Sequence, residues 1–147
     1  MQESISAPQV GGIVKLTDFI LKTSLIIEMI GAALLAPVFC NDLGIAKGLW
    51  YSLFHSISAF CNAGFDLFGI KEPFSSLTFY HSNIYLNIII MLLIITGGIG
   101  FLVWGDIGTH KHRIRRYSLQ SKVVLMTSAV LIVLPALYFF FFEYDHG

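Results

Sequence analysis

The sequence has 147 residues, of which 56% are hydrophobic and only 12% are charged. Soluble domains carry roughly 25% charged residues to cover their surface, so this composition excludes a soluble globular domain and indicates a membrane protein. Nine basic and nine acidic residues leave a formal net charge of zero, which gives no general electrostatic attraction to nucleic acid.

The N-terminal segment from Met1 to Val14 is polar and lacks the basic flank and apolar core of a signal peptide. Membrane insertion is therefore expected to rely on the later apolar segments, and we interpret residues 1–15 as a cytoplasmic linker. The two cysteines, Cys40 and Cys61, lack the spacing of a disulfide framework or a metal site. We interpret both as packed thiols.

Three segments are apolar over the roughly 20 residues that a membrane-spanning helix needs. The first, an outer helix from Leu16 to Phe39, should end near Pro37 and the turn that follows it. The second, an inner helix, runs from Asn83 to Trp104. The third runs from Leu119 to Phe142 and ends in aromatic residues, which suit the membrane interface. The predicted fold class is therefore an all-α integral membrane protein.

The apolar stretch from Ile45 to Phe68, between the first two spans, does not have the pattern of a fourth. Its helical part, Lys47 to Phe60, would be roughly 20 Å long, whereas the hydrocarbon layer is about 30 Å thick. Loop-forming residues follow from Cys61 onward. This pattern predicts a re-entrant pore loop, because irregular backbone at membrane depth is tolerated only where it is buried in protein or lines a water-filled path.

Basic residues predict the orientation, because positively charged loops face the cytoplasm. They are concentrated between the second and third spans, at Lys111, Arg113, Arg115 and Arg116. The pore loop would then enter the membrane from outside. We therefore expect a helix, pore loop and helix repeat over residues 16–105, a cytoplasmic basic loop over residues 106–118, and the first membrane helix of a next repeat over residues 119–147.

The segment after the pore helix has the chemistry of a cation filter. The C-terminal end of a helix carries partial negative charge, and backbone carbonyls beyond it can replace the hydration shell of an ion. We predict that these carbonyls belong to Cys61, Asn62, Ala63, Gly64 and Phe65. Gly64 is the key position, because glycine adopts without strain the conformations that turn carbonyls inward. On spacing alone, Gly64 fits an ordinary turn equally well.

Five sequence blocks carry a resemblance that covers almost the whole chain. They are Ser58 to Phe65 in the filter, Trp50 to His55 before it, Leu25 to Ala32 in the outer helix, Gly97 to Phe101 in the inner helix, and Tyr117 to Lys122 before the third span. These blocks resemble the Trk/Ktr/HKT superfamily of potassium transporters. They are most similar to the second pore region of the bacterial Ktr-type translocating subunit.

The resemblance implies four such repeats around a single pore, a homodimer in the plasma membrane, which is the bacterial inner membrane, and a cytoplasmic nucleotide-binding ring as regulatory partner. The chain would be an internal fragment holding the second repeat and the start of the third, so that Met1 need not be the natural start. The filter block has one glycine where tetrameric potassium channels have a pair. This leaves the preference for potassium over sodium open.

Two polar residues inside the predicted membrane segments need an explanation, because ionisable residues there are costly and often functional. Glu28 would form a hydrogen bond that fixes the neighbouring pore helix or, alternatively, contact the ion directly. His55 would be a packed or hydrogen-bonded ring or, alternatively, a proton relay. We expect both residues to support the pore.

The glycines of the inner helix and the acidic residue beyond the filter also have two interpretations each. Gly97, Gly98 and Gly100 allow helices to approach closely, and the alternative is a hinge. Asp66 could attract cations to the mouth of the pore or be an exposed loop carboxylate, and the sequence does not separate these.

The expected function is potassium uptake, passive or sodium-coupled, through the predicted filter. No nucleophile and base pair, phosphate-binding glycine loop or metal cluster is recognisable, so we predict neither an enzyme nor a cofactor or metal site, and potassium or sodium is the cargo. Membrane lipid and the remaining repeats are the expected partners. The alternative is a non-conducting membrane subunit, or the remnant of a broken transporter gene, in which the loop is a structural plug.

Overall fold

The computed structural model describes residues 6–70, 75–110 and 117–142, with side chains over residues 12–69, 75–108 and 117–142. All regular secondary structure in these residues is helical, which confirms the predicted fold class. The basic run at residues 111–116, on which the orientation was predicted, lies outside the described residues. The chain divides into two compact units, Met1–Gly98 and Ile99–Gly147.

Five α-helices and two 3-10 turns make up the described chain. They are α1 (Ser6–Leu43), α2 (Ile45–Phe60), the 3-10 turns Phe68–Ile70 and Thr78–Tyr80, α3 (Ile84–Ile99), α4 (Phe101–His110) and α5 (Leu119–Phe142). The helices long and apolar enough to cross a membrane are Gly12–Leu43 and Leu119–Phe142, and the pair α3 and α4 adds a third span if it is counted as one. The bounds of α5 coincide with the predicted third span.

Helix α1 is longer than predicted at both ends. It begins at Ser6, continues through Pro37 and ends at Leu43, just after the turn predicted at Asn41 and Asp42. Proline lacks a backbone N–H and costs one helical hydrogen bond, but membrane helices tolerate this where neighbouring helices supply other partners. The hydroxyl of Tyr85 in α3 donates to the Leu34 carbonyl at 2.9 Å, close to the interrupted turn.

Helix α2 turns back along α1 at Gly44, whose φ of 81° suits glycine. Small residues let the two backbones approach closely. A Cβ added at Gly48 would overlap the backbone of Cys40, and the Ser56 hydroxyl donates to the Glu28 carbonyl at 2.7 Å. Because α2 has 16 residues, it is about 24 Å long and shorter than the membrane core.

Aromatic rings join α1, α2 and the two 3-10 turns. Phe68 is at the centre, with ring-centroid distances of 5.0 Å to His55, 5.3 Å to Tyr51, 5.4 Å to Tyr80 and 5.7 Å to Phe39. The hydroxyl of Tyr80 is buried and outside hydrogen-bonding geometry with any described group. Burial, followed by the nearby Asp42 carboxylate, raises the pKa of Tyr80 to about 12, so this hydroxyl stays protonated. The cluster fixes the segment that follows the filter.

The inner helix, predicted from Asn83 to Trp104, consists of two helices in the structure. Helix α3 ends at Ile99 and α4 begins at Phe101. Gly100 between them has φ 88°, a left-handed conformation that ends helices and that glycine adopts without cost. Apolar residues continue beyond the break, from Phe101 to Val103.

In the second unit, the N-terminus of α5 is held by Asp106 of α4. The carboxylate accepts hydrogen bonds from the Ser118 backbone N–H at 3.0 Å, from the Ser118 hydroxyl at 2.7 Å and from the Ser121 hydroxyl. Ser118 also accepts the Ser121 backbone N–H at 3.2 Å, which makes it the N-cap of α5. An acidic group at this position is favourable because it faces the positive end of the helix dipole.

Candidate functional site

The C-terminal end of α2 leads directly into the predicted filter. Backbone N–H groups of the filter close the last turns of the helix, from Cys61, Asn62 and Ala63 to the carbonyls of Ile57, Ala59 and Ser58 at 2.9, 3.1 and 2.9 Å. Within the described residues, no hydrogen bond ends on the carbonyl oxygens of residues 61–64. These oxygens therefore remain open to another ligand, beside the negative end of the helix dipole.

Two residues of the filter have left-handed backbone, Asn62 with φ 53° and Gly64 with φ 71°. Changes of handedness along a short segment redirect its carbonyls, which a regular helix or strand cannot do. A Cβ added at Gly64 would meet no atom within 4 Å. The requirement for glycine is therefore conformational and does not come from a lack of space.

The far end of the filter is tied back to α2. Ser58, which is buried, donates from its hydroxyl to the Phe65 carbonyl at 2.7 Å. Tyr51, also in α2, donates to the Leu67 carbonyl at 3.1 Å. The Phe65 carbonyl was predicted as an ion ligand, and one of its acceptor positions is already used. The side chain of Phe65 is 71% exposed.

Asp66 directly follows the filter and stabilises the next turn. One carboxylate oxygen accepts the Phe68 backbone N–H at 2.9 Å, an arrangement typical of aspartate in turns. The side chain is half-buried rather than exposed. Its second oxygen is available to another partner, as attraction of a cation to the mouth of the pore would require.

Glu28 contacts the pore helix in two ways. Its backbone carbonyl accepts the Ser56 hydroxyl at 2.7 Å, and its carboxylate lies 3.9 Å from the Cys61 thiol. The second contact is long and weak. Both contacts correspond to the interpretation in which Glu28 fixes the pore helix, and the carboxylate ends beside the first filter residue.

His55 is packed in the aromatic cluster and is 2% exposed. Its Nδ1 lies 2.7 Å from the Tyr51 carbonyl, and its ring centroid is 5.4 Å from that of Phe39. This matches the interpretation of a packed, hydrogen-bonded ring. The other ring nitrogen, Nε2, is buried without a hydrogen-bond partner among the described residues.

The three glycines of the inner helix behave differently. At Gly97 an added Cβ would overlap the carbonyl oxygen of Phe60, the last residue of α2, so this glycine allows α3 to approach the end of the pore helix. At Gly98 the nearest atom would be the Asn62 side-chain nitrogen at 3.9 Å, an ordinary contact. At Gly100 nothing lies within 4 Å among the described residues, and its φ of 88° places it at the break between α3 and α4.

The geometry is a short helix that ends at a loop of open carbonyls, and the family assignment agrees with it. Residues 2–145 match the sequence profile of the family TrkH, described as a cation transport protein. The chain belongs to this family. The predicted resemblance to the Trk/Ktr/HKT superfamily is thereby confirmed. The apolar helices of this chain make it a multi-pass membrane protein, as predicted.

Three curated relatives of this TrkH-family chain are uptake proteins by name. The potassium/sodium uptake protein NtpJ of Enterococcus hirae is 43% identical over 133 residues, which are 90% of this chain and 28% of the relative. The Ktr system potassium uptake protein B of Bacillus subtilis is 36% identical over 146 residues, 99% of this chain and 32% of the relative. The Vibrio alginolyticus protein of the same name is 31% identical over 130 residues, 88% of this chain and 28% of the relative.

The chain therefore spans about a third of the length of the curated relatives that it matches. These relatives are named as transporters and not as enzymes, in agreement with the predicted non-enzymatic role.

Sequence reasoning missed three buried serines of α2 in this TrkH-family chain, one of which bonds the predicted filter. Ser52, Ser56 and Ser58 are buried in α2, and each donates a hydroxyl hydrogen bond at 2.7 Å, to Gly48, Glu28 and Phe65 respectively. A signal was present, because hydroxyls in an apolar helix must find acceptors. The left-handed Asn62 was also missed, although asparagine is among the residues that tolerate this conformation.

Proposed function

We propose that this chain takes part in potassium uptake across the plasma membrane, as a part of the ion-translocating subunit that contributes one selectivity-filter loop. The observation that carries the proposal is the row of open carbonyls at residues 61–64, held at the C-terminal end of α2 by backbone hydrogen bonds. A cation that leaves water needs oxygen ligands in place of its hydration shell. The negative end of the helix dipole adds to the attraction.

The positive φ angles of Asn62 and Gly64 support the same assignment, because they prevent the chain from continuing as a helix and so leave these carbonyls outside helical hydrogen bonds. The Ser58 bond to Phe65 fixes where the loop ends. A single loop surrounds an ion only in part, so the remaining repeats would supply the other carbonyls. The proposed cargo follows the printed names of the relatives, which include both potassium and potassium/sodium uptake proteins, and sodium coupling belongs to the same proposal.

The arrangement in the membrane is part of the proposal. Residues 16–105 would form the repeat, with its pore loop entering from outside, and residues 119–147 would begin the next repeat. Residues 1–15 and 106–118 would face the cytoplasm, where the basic run could contact a nucleotide-binding regulatory subunit or anionic lipid. The complete transporter would be a homodimer.

The experiment that tests the filter is Gly64→Ser in the complete transporter, with Gly69→Ser as the matched control. Serine at Gly64 must adopt a φ of 71°, which costs about 1–3 kcal/mol of strain or moves the carbonyls. Since 1.4 kcal/mol is about a tenfold change in an equilibrium constant, the potassium-to-sodium affinity ratio should fall about tenfold. Gly69 needs no positive φ and has open space around it, so its variant should behave like the native protein.

Uptake affinities for both ions would be measured in cells that lack other potassium uptake, together with protein abundance. Abundance of Gly64→Ser should remain near normal, because the added side chain meets no atom within 4 Å. If both serine variants keep the native ion preference, or if Gly64→Ser only lowers abundance, the loop is a structural turn. In that case the chain is better explained as part of a non-conducting membrane subunit.

A further inference from the structure

A cavity of about 220 Å³ is lined by residues of the pore helix, of the predicted filter segment and of α3. Its wall includes His55 and Ser58 of α2, Gly64 and Asp66 of the filter segment, and Ile94 of α3. A water molecule takes up about 30 Å³ of liquid volume, so the cavity has room for several. Waters are retained in such spaces where two or more polar groups can bind them.

The side of His55 that needs a partner can be identified from its hydrogen bond. Nδ1 lies 2.7 Å from the Tyr51 carbonyl, which can only accept, so Nδ1 carries the proton of the neutral ring. Nε2 therefore presents a lone pair. This atom is buried and has no donor among the described residues, although buried polar atoms are almost always paired.

Asp66 also lines this cavity. One carboxylate oxygen binds the Phe68 N–H, and the other has no hydrogen-bond donor within the described part of the chain. A carboxylate oxygen and the Nε2 lone pair are both acceptors, so they cannot bond to each other directly. Water has two O–H donors and can satisfy both groups at once.

We propose that water in this cavity links His55 Nε2 to the Asp66 carboxylate, and that His55 is thereby a positioning residue for the filter. This rests on the proposed function of the loop at residues 61–65. The filter would be held on one side by the direct Ser58 bond to Phe65 and on the other by the water-mediated bond to Asp66. His55 would set the position of the carbonyls without contacting the ion.

The test uses substitutions at His55 in the complete transporter, read out as the potassium-to-sodium uptake ratio. His55→Phe keeps an aromatic ring in the cluster but removes Nε2, and the ratio should fall up to about tenfold, the size of effect that one lost hydrogen bond produces. His55→Gln places an amide oxygen near the former Nε2 and should restore most of the ratio. A purely structural ring would predict the opposite order, because phenylalanine packs better than glutamine in this cluster.

Tyr80→Phe is the matched control. It also removes a buried, unpaired polar atom from a ring beside Phe68, but Tyr80 does not line the cavity. Its ion ratio should stay native. If His55→Phe and Tyr80→Phe give the same ratio, or if His55→Gln is no better than His55→Phe, the inference is wrong.

Two further measurements keep the outcome clear. Gly64→Ser in the same assay tests the filter itself. A native potassium-to-sodium ratio in Gly64→Ser overturns the proposed function. An altered ratio in Gly64→Ser together with a native ratio in His55→Phe overturns only the role of His55. A high-resolution experimental structure of the native transporter gives a readout that does not depend on variant folding. Ordered water within hydrogen-bonding distance of both His55 Nε2 and Asp66 is expected, and a dry cavity would refute the link.

Discussion

The close approach of α3 to the end of the pore helix allows a sharp test with two neighbouring glycines. Gly97 and Gly98 both lie in α3, and both can be changed to alanine. At Gly97 the new methyl group would overlap the Phe60 carbonyl oxygen, whereas at Gly98 its nearest neighbour would be 3.9 Å away. The same substitution should therefore have opposite effects at adjacent positions.

Two effects determine how much each substitution changes the free energy of unfolding. Replacing glycine by alanine within a helix favours folding by up to about 1 kcal/mol, and this applies to both positions. Overpacking costs about 1–3 kcal/mol when the structure must shift to make room, and this applies only to Gly97. The cost at Gly97 should lie in the upper part of that range, because the obstructing atom belongs to the backbone and cannot rotate away. The net loss for Gly97→Ala is then about 1–2 kcal/mol, and Gly98→Ala should be neutral or stabilising.

The assay is thermal unfolding of the purified complete transporter in detergent, with potassium uptake measured in parallel. Gly97→Ala should unfold at a lower temperature than the native protein, and Gly98→Ala at the same or a higher temperature. Displacing Phe60 also displaces the adjacent Cys61, so uptake should fall in Gly97→Ala even at temperatures where the protein is folded. Equal unfolding temperatures for the two variants would show that α3 and α2 are not in close contact at Gly97.

Two predictions concern the second unit. Gly100→Ala must accept a φ of 88° at a cost of about 1–2 kcal/mol, so it should lower the unfolding temperature. Gly105 has open space and a helical position, so Gly105→Ala should not lower it. Equal unfolding temperatures of the two variants would contradict a required break at Gly100. Asp106→Ala leaves the Ser118 N–H and two serine hydroxyls without their acceptor, at about 1–2 kcal/mol. In Asp106→Ala, the backbone amides in the first turn of α5 should exchange hydrogen faster than in the native protein. The increase should be smaller in Asp106→Asn. Unchanged exchange in Asp106→Ala would rule out the capping role.

The parts of the fold that depend on long apolar segments could be predicted from the sequence. Comparing segment length with membrane thickness predicts the bounds of α5 and the existence of α1 and the short α2. This works because hydropathy is summed over many residues, so single exceptions change it little. Gly64 was singled out from the sequence, and its φ of 71° is one that glycine adopts without strain, but this angle also suits an ordinary turn.

Features that depend on a single contact could not be predicted. Helix α1 continues through Pro37 beside a bond from Tyr85 to Leu34, and these two residues are far apart in sequence. The break at Gly100 was missed because apolar residues continue beyond it from Phe101 to Val103, which favoured a longer span. Within the site, Ser58 and Phe65 are seven positions apart, a spacing that belongs to no regular element, so no periodic pattern indicates the bond.

The Ser58 bond to Phe65 has a consequence for movement of the loop. Together with the bond from the Ala63 N–H to the Ser58 carbonyl, it closes the segment into a small ring, within which no peptide unit can rotate independently. Reversing the carbonyl of Phe65 requires the Ser58 hydroxyl to release its acceptor first. The bond therefore couples the orientation of the Phe65 carbonyl to the rotamer of a side chain in α2, seven residues earlier.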